Sequence, residues 1–182
     1  MLKHVFLVHI VNSSHPVIRD VIRLTSTLET MSLWLDLISR WERSDLEIRT
    51  GVSPQQIIAF EQRYSVALPQ DLVDYFTFVD GMEDTMCADM YHFWKLEELR
   101  PVVDVLSDGN HDYADRDAYP NYFTFADYLI SSWDYAVLLT NVRQQPAPVR
   151  FVTGTDPPGH VADESFSSFM RRYCDDPNEL LL

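Results

Sequence analysis

The chain has few basic residues. It carries 14 Lys and Arg against 28 Asp and Glu, which gives a formal net charge of -14 over 182 residues. Because phosphates repel such a surface, we expect neither nucleic acid nor an anionic membrane to bind it directly. The excess is local, since residues 71–134 hold fifteen acidic and three basic side chains. Opposite fields steer association, so a basic protein is the expected partner; the alternative is that the charge serves solubility alone.

Cysteine, glycine and long apolar runs are also scarce. The two cysteines, Cys87 and Cys174, form no disulfide framework and no zinc-binding pattern, so a reducing compartment is expected. The apolar run at residues 5–8 stops at His9, is too short to span a bilayer, and is followed by no cleavage site. Five glycines and 46% hydrophobic residues favour a packed fold over disorder. We therefore expect one cytoplasmic domain.

Residues 51–81 are predicted to form two helices joined by a turn. Ser53 is a typical N-cap, with Pro54 at the first helical position and Gln56 where a capping box requires it. The apolar stripe of this helix consists of Ile57, Ile58, Phe60 and Tyr64. Pro69 is predicted to open the second helix, whose apolar face consists of Leu72, Tyr75, Phe76 and Val79. Gly81 is expected to end it in a left-handed conformation.

The remaining sequence predicts helices first, then strands, then a final helix. Residues 31–43 are amphipathic, and residues 17–28 hint at a further helix. Strands are predicted at residues 90–94, 122–126, 133–139, 148–152 and 160–162, with a helical turn at 96–99, a strand or helix at 102–106 and a long loop at 107–121. Ser165 is expected to cap the last helix. This order predicts an α+β fold: one domain whose N-terminal helices pack on a mostly antiparallel sheet, with a C-terminal helix.

No catalytic or metal-binding pattern emerges. Residues 108–119 begin like a calcium-binding loop, but Tyr113 and Tyr119 occupy the positions that require Gly and Glu. His92, His111 and His160 have no second His or Cys at metal-ligand spacing, and neither a nucleophile elbow nor a phosphate-binding or dinucleotide-binding loop is present. Glu61 is interpreted as a structural residue that bonds nearby backbone amides. We therefore predict no enzyme activity, no cofactor and no metal.

The central stretch resembles the SUKH superfamily, which includes fungal cell-wall-synthesis regulators and bacterial immunity proteins. The resemblance is carried by Gly51-Val52-Ser53, Ile57, Glu61, Leu68-Pro69, Phe76 and Gly81, and in later elements by residues 93–99, 123–127, 133–139, 148–149 and 164–169. It covers residues 33–175. Asp80 departs from the pattern, which often has Asn there. Residues 1–30 have no counterpart and are interpreted as an N-terminal extension, or as a wrongly placed start if Met31 is the initiator; residues 31–182 form the SUKH-like domain.

The resemblance implies a non-enzymatic protein-binding module. Bacterial members commonly bind and neutralise toxins, often nucleases or deaminases. The expected function is therefore an immunity protein that binds a cationic toxin through an acidic surface. The alternative is a regulatory or scaffolding module that recognises host proteins without inhibiting a toxin. The sequence identifies neither the partner nor the oligomeric state.

Two acidic loops are the predicted contact residues. The first contributes Glu83, Asp84 and Asp89, and the second contributes Asp108, Asp112, Asp115 and Asp117. Their carboxylates are expected to pair with Lys or Arg of the partner. An exposed aromatic side chain, Tyr113 or Tyr119, is expected to add apolar contact.

Overall fold

The computed structural model describes residues 16–83, 88–108, 118–143, 146–152 and 161–181; for residues 16–28 it describes the backbone helix alone. The helices are α1 (Pro16–Arg43), α2 (Pro54–Tyr64), α3 (Gln70–Phe78), α4 (Val102–Asp108) and α5 (Phe166–Asp175), followed by a 3₁₀ turn (Pro177–Leu180). The strands are β1 (Tyr91–Phe93), β2 (Arg100–Pro101), β3 (Tyr122–Tyr128), β4 (Trp133–Leu138), β5 (Val149–Val152) and β6 (Val161–Asp163).

The first helix is longer than the sequence indicates. The two segments at 17–28 and 31–43 form one continuous helix, α1, because no proline or glycine interrupts them. Its described C-terminal part buries Leu33, Trp34, Leu37 and Trp41 in the core. The helix passes residue 31 without a break, and the domain boundary proposed there stays a prediction.

The N-terminus of α2 has the predicted capping box. Ser53 accepts a hydrogen bond from the amide of Gln56, whose side chain in turn accepts from the amide of Ser53. Ile57 and Phe60 are buried as expected. Ile58 was expected to widen the apolar stripe, and this is wrong: it is 51% exposed. The core covers a narrower face of the helix than the sequence pattern indicates.

The second helix of the pair, α3, ends earlier than predicted. Pro69 is its N-cap and the apolar face is buried as expected, but the helix stops at Phe78 and Val79 is already extended. Gly81 does have a positive φ of 64°, yet it lies beyond the helix end and against the backbone of Trp94. Its role is therefore a close backbone approach and not helix termination.

The sheet is antiparallel and has helices on both faces. The strand order is β1-β3-β4-β5-β6, and β2 also pairs with β3, beyond β1 along the same edge. On the front face, α1, α2, α3 and α5 bury the main core, which includes Phe93, Phe125, Tyr135 and Phe169. On the back face, α4 covers a smaller cluster built from Val102, Leu106, Tyr122 and Val152. The predicted α+β class and layer arrangement are confirmed.

The strand predictions at β1, β3, β4, β5 and β6 are confirmed to within one or two residues. Residues 102–106, which the sequence leaves open between strand and helix, are helical. The two-residue strand β2 and the 3₁₀ turn at 177–180 were not predicted, because both are too short for any periodic pattern.

Replacing Gly81 is expected to destabilise the fold. A Cβ atom on Gly81 would lie 2.5 Å from the carbonyl oxygen of Trp94, and the positive φ adds strain. We expect Gly81→Ala to lower the free energy of unfolding by about 2 to 4 kcal/mol in urea denaturation. The control is Gln55→Ala, an exposed substitution on α2, which is expected to change it by less than about 0.5 kcal/mol. Equal stability of the two variants would contradict the packing described for residue 81.

Candidate functional site

The carboxylate of Asp127 organises a polar region near the β1 edge of the sheet. Its Oδ2 accepts hydrogen bonds from Trp94 Nε1 at 2.7 Å and lies 3.0 Å from His92 Nδ1. Its Oδ1 accepts from the amide of Ser131 at 3.0 Å. Burial acts to raise the pKa of Asp127, but the hydrogen bonds outweigh burial and hold it below its usual range. Asp127 is therefore an ionised residue that joins residues 92–94 to the turn after β3.

A groove opens beside this carboxylate, which we call the strand groove. Its volume is about 430 Å³, and it is lined by His92, Trp94, Glu97, Glu98, Arg100 and Asp127. Three of these side chains are carboxylates and one is a guanidinium. The Arg100 guanidinium carbon lies 5.8 Å from the centre of the Trp94 ring, within the range of a cation–π contact. The groove combines an aromatic wall with excess negative charge.

A second groove, the helix groove, lies between α2 and residues 96–97. Its volume is about 300 Å³, and it is lined by Arg49, Val52, Gln56, Ala59, Phe60, Arg63, Asp80, Leu96 and Glu97. Asp80 anchors it, since Oδ1 accepts from the amide of Leu96 at 2.9 Å while Oδ2 lies 3.8 Å from Arg49 Nε. Burial raises the pKa of Asp80, and those two contacts oppose the effect. Glu97 lines both grooves.

Four acidic residues form what we call the acidic patch. Glu97 and Glu98 line the strand groove, and Asp104 and Asp108 lie on α4. Asp104 and Asp108 are four residues apart on α4 and so share one face of the helix. Asp108 forms a salt bridge with Arg100, which places this helix face next to the strand groove. Glu97 is exposed and forms no salt bridge with any described residue.

Asp134 lies under this region without a full set of hydrogen bonds. It is opposite Asp127 in the sheet register and is 5% exposed, and its Oδ1 has no hydrogen-bond partner. Burial raises the pKa of Asp134 to about 7; the charge of Asp127 adds to the rise, and Arg100 opposes it. The two facing carboxyl groups therefore differ in charge at neutral pH, with Asp127 fully ionised.

The first acidic loop is engaged within the chain. Glu83 forms salt bridges with Arg49 and Lys95, the latter at 3.5 Å. Asp89 forms a salt bridge with Arg40 at 3.0 Å and is mostly buried. Their negative charge is therefore partly neutralised before any partner binds. Asp84 lies outside the described residues.

The second loop is described only at its ends. Asp108 is exposed at the end of α4, where it pairs with Arg100. The expectation that Tyr119 is exposed is wrong: it is 5% exposed and packs on Tyr122 in the back cluster. The sequence shows no period that would reveal this packing. The other predicted contact residues, Asp112, Tyr113, Asp115 and Asp117, lie outside the described residues.

Sequence reasoning did not select Glu97, Glu98, Asp104 or Asp127 as site residues. Glu97 and Glu98 stand next to each other in a turn before Pro101, so an exposed acidic turn was detectable. Asp127 was not, because its donors come from residues 92, 94 and 131 on other segments.

The structural interpretation of Glu61 is consistent with its contacts. Its Oε1 accepts a hydrogen bond from the amide of Leu68 at 2.8 Å and lies 3.0 Å from Arg143 Nη2. Within the described residues, no group of three or more His, Cys, Asp or Glu side chains is arranged to hold a metal ion. The described helices include none with both the length and the apolar character to cross a membrane.

The raised pKa of Asp134 predicts an unusual pH dependence of stability. The group binds its proton more tightly when folded than when unfolded, where its pKa is near 3.8, so stability falls as the pH rises from about 4 to about 7. We expect Asp134→Asn to be more stable than the wild type at pH 8, by up to about 4 kcal/mol at about 1.4 kcal/mol per pKa unit. The difference should vanish near pH 4, as measured by urea denaturation at both pH values. A difference that does not change with pH would contradict the burial of this group.

Comparison with protein families gives a match for most of the chain. The model of the SMI1 / KNR4 family (SUKH-1) matches residues 51–172, which is more than half of the chain. The matched range includes both grooves except Arg49, and the whole acidic patch. No curated protein sequence matches the chain. Members of this family are toxin-immunity or regulatory domains in general. The chain therefore belongs to the SMI1 / KNR4 family (SUKH-1).

Proposed function

We propose that the chain is an immunity protein that binds and neutralises a basic toxin domain of the nuclease or deaminase type. The observation that carries the proposal is the acidic patch beside the strand groove. Two of its four carboxylates pair within the chain, Asp108 with Arg100 and Glu98 with Lys95 at 3.4 Å, while Glu97 and Asp104 are exposed and form no salt bridge with any described residue. A toxin that acts on nucleic acid needs Lys and Arg to contact phosphates, so its active surface complements such a patch.

The patch is a better contact surface than the loop at residues 83–89. Glu83 and Asp89 are both paired with cations of this chain, whereas two of the four patch carboxylates, Glu97 and Asp104, form no salt bridge with a described residue. Glu97 has no such cation among the described residues and stands exposed between two grooves. Charges that are exposed and unpaired act mainly on the association rate. The interface is therefore proposed at residues 94–108, continued in sequence by the acidic residues 112, 115 and 117.

The neighbouring gene provides the first test. If it encodes a toxin, the toxic domain is expressed in a bacterial host with and without this chain, and survival is measured. We expect co-expression to restore growth and the purified proteins to form a stable complex. If the toxic domain kills equally in both cases, the immunity function is wrong. Binding to host proteins without protection would favour the regulatory alternative.

Charge reversal tests the location of the interface. Glu97→Lys with Asp104→Lys is expected to lower the association rate with the toxic domain roughly tenfold at low salt, because steering depends on exposed charge. The control is Asp36→Lys with Glu42→Lys on α1, which changes the net charge equally on the opposite, helical layer. Rates are measured by surface plasmon resonance at several salt concentrations. Equal effects of both pairs would show that net charge alone matters and that the patch is not the interface.

A further inference from the structure

The turn between β3 and β4 has a strained backbone. Leu129, Ile130 and Ser131 have φ values of 52°, 54° and 56°, which side chains with a Cβ atom rarely adopt. For the β-branched Ile130 this conformation is an outlier. Glycine or asparagine would relieve the strain, yet the turn contains neither. Strain of this kind persists where the surrounding structure enforces it, and such positions cluster at functional sites.

The turn is held by hydrogen bonds from three directions. The amide of Ser131 donates to Asp127 Oδ1 at 3.0 Å. The amide of Ser132 donates to the carbonyl of Tyr128 at 3.0 Å, and that of Leu129 to the carbonyl of Met90 at 3.0 Å. The same carboxylate that positions Trp94 in the strand groove thus also fixes the turn. Groove and turn are neighbours that share one buried anchor.

The turn presents apolar side chains to solvent. Ile130 is 79% exposed, and Leu129 and Met90 are also exposed. We call these three residues the apolar tip. This turn lowers the stability of the fold in two ways: its backbone conformation is strained, and its large apolar side chains are exposed to water. A bound partner would bury those side chains and so offset the second loss. The tip therefore has the properties of a contact surface.

The charge of the neighbouring groove indicates what kind of segment fits. Glu97, Glu98 and Asp127 line it together with Arg100, which lies near the Trp94 ring. Glu98 is paired with Lys95 and Asp127 with His92, so Glu97 is the lining carboxylate that has no salt bridge to a described residue. Aromatic faces and carboxylates attract guanidinium and ammonium groups. An acidic or neutral segment would bring no compensating charge.

We propose that the strand groove and the apolar tip form one docking surface for an extended basic segment of a partner protein. A Lys or Arg side chain of the segment enters the groove beside Trp94, and adjacent apolar side chains cover Ile130. This inference rests on the proposed function for the identity of the partner, and it names the part of the partner that is recognised. Interfaces of this kind join apolar anchors to a polar rim.

A peptide titration tests the proposal without any toxin. The probe is a short synthetic peptide in which arginine and leucine alternate, and its control carries the neutral isostere citrulline in place of arginine. We expect saturable shifts in the NMR signals of the Trp94 indole N–H and the Ile130 amide, with a Kd of about 1 mM or tighter. The citrulline peptide should bind at least about tenfold more weakly. No saturable shift up to about 10 mM arginine peptide, or equal binding of both peptides, overturns the proposal.

Substitution of Ile130 separates a binding role from a structural one. Ile130→Asn should weaken the arginine peptide at least about fivefold while leaving Tm unchanged or higher, because asparagine tolerates a positive φ. The matched control is Val142→Asn, which replaces a 64% exposed residue beyond the opposite end of β4 and should leave affinity unchanged. Unchanged affinity in Ile130→Asn, or an equal loss in Val142→Asn, overturns the proposal.

Removing the negative charges of the strand groove tests whether those charges attract the peptide. Glu97→Gln with Glu98→Gln should weaken the arginine peptide, whereas Asp36→Asn with Glu42→Gln on α1 should not. Equal loss in both pairs would mean attraction by net charge alone and would overturn the proposal. The chain could instead self-associate in a concentration-dependent way and bind no peptide. If Ile130→Asn abolished that self-association, a second copy of the chain would cover the apolar tip, and the proposal would be overturned.

The outcomes distinguish this inference from the proposed function. Peptide binding without protection against a neighbouring toxin leaves the docking surface in place and removes the immunity role. Protection that survives Ile130→Asn, together with no peptide binding, leaves the immunity role and removes the docking surface.

Discussion

The site depends on the burial of one ionised carboxylate. An unpaired buried charge is strongly unfavourable, so Asp127 is stable only because three donors reach it. Those donors belong to β1, to the residue that follows it, and to the turn after β3. By satisfying one anion, the chain fixes the orientation of Trp94 and the left-handed turn at once. Removing the anion would release both surfaces together.

Asp134, the neighbouring carboxyl group, is also buried, but burial raises its pKa instead of hydrogen bonds lowering it. Asp134 faces Asp127 across the β3–β4 ladder, has an unpartnered oxygen, and is kept partly protonated by burial. A valine or threonine there would suit the strand better. Together with the strained turn, this residue lowers the stability of the β3–β4 hairpin. Such local losses are typical of surfaces selected for binding.

Features set by neighbouring residues were predictable from the sequence. The capping box at Ser53 and the strands of alternating pattern depend on local spacing, and they form as expected. The family resemblance was also detectable from the sequence, because it depends on the same helix and strand boundaries. Features set by distant residues were not predictable. Asp89 is paired with Arg40, 49 residues away, and no pattern in the acidic loop reveals this.

The same distinction applies to the predicted contact residues. An acidic middle region is a property of composition and was visible. Which of its carboxylates are exposed is decided by tertiary contacts: Glu83 is neutralised by Arg49, Glu97 is exposed, and Tyr119 is buried by the packing of α4. We therefore place the proposed interface at residues 94–108 and not at the loop at 83–89.

Hydrogen exchange of the complex tests the central claim most directly. The chain is labelled alone and in complex with the toxic domain that the proposed function predicts as its partner, and amide exchange is compared by mass spectrometry. The account predicts slower exchange in the complex at residues 90–108 and 127–132, with no change in α1 from residue 29 to residue 43. Protection confined to α1 or α2, with residues 94–108 unaffected in a complex that neutralises the toxin, would contradict it.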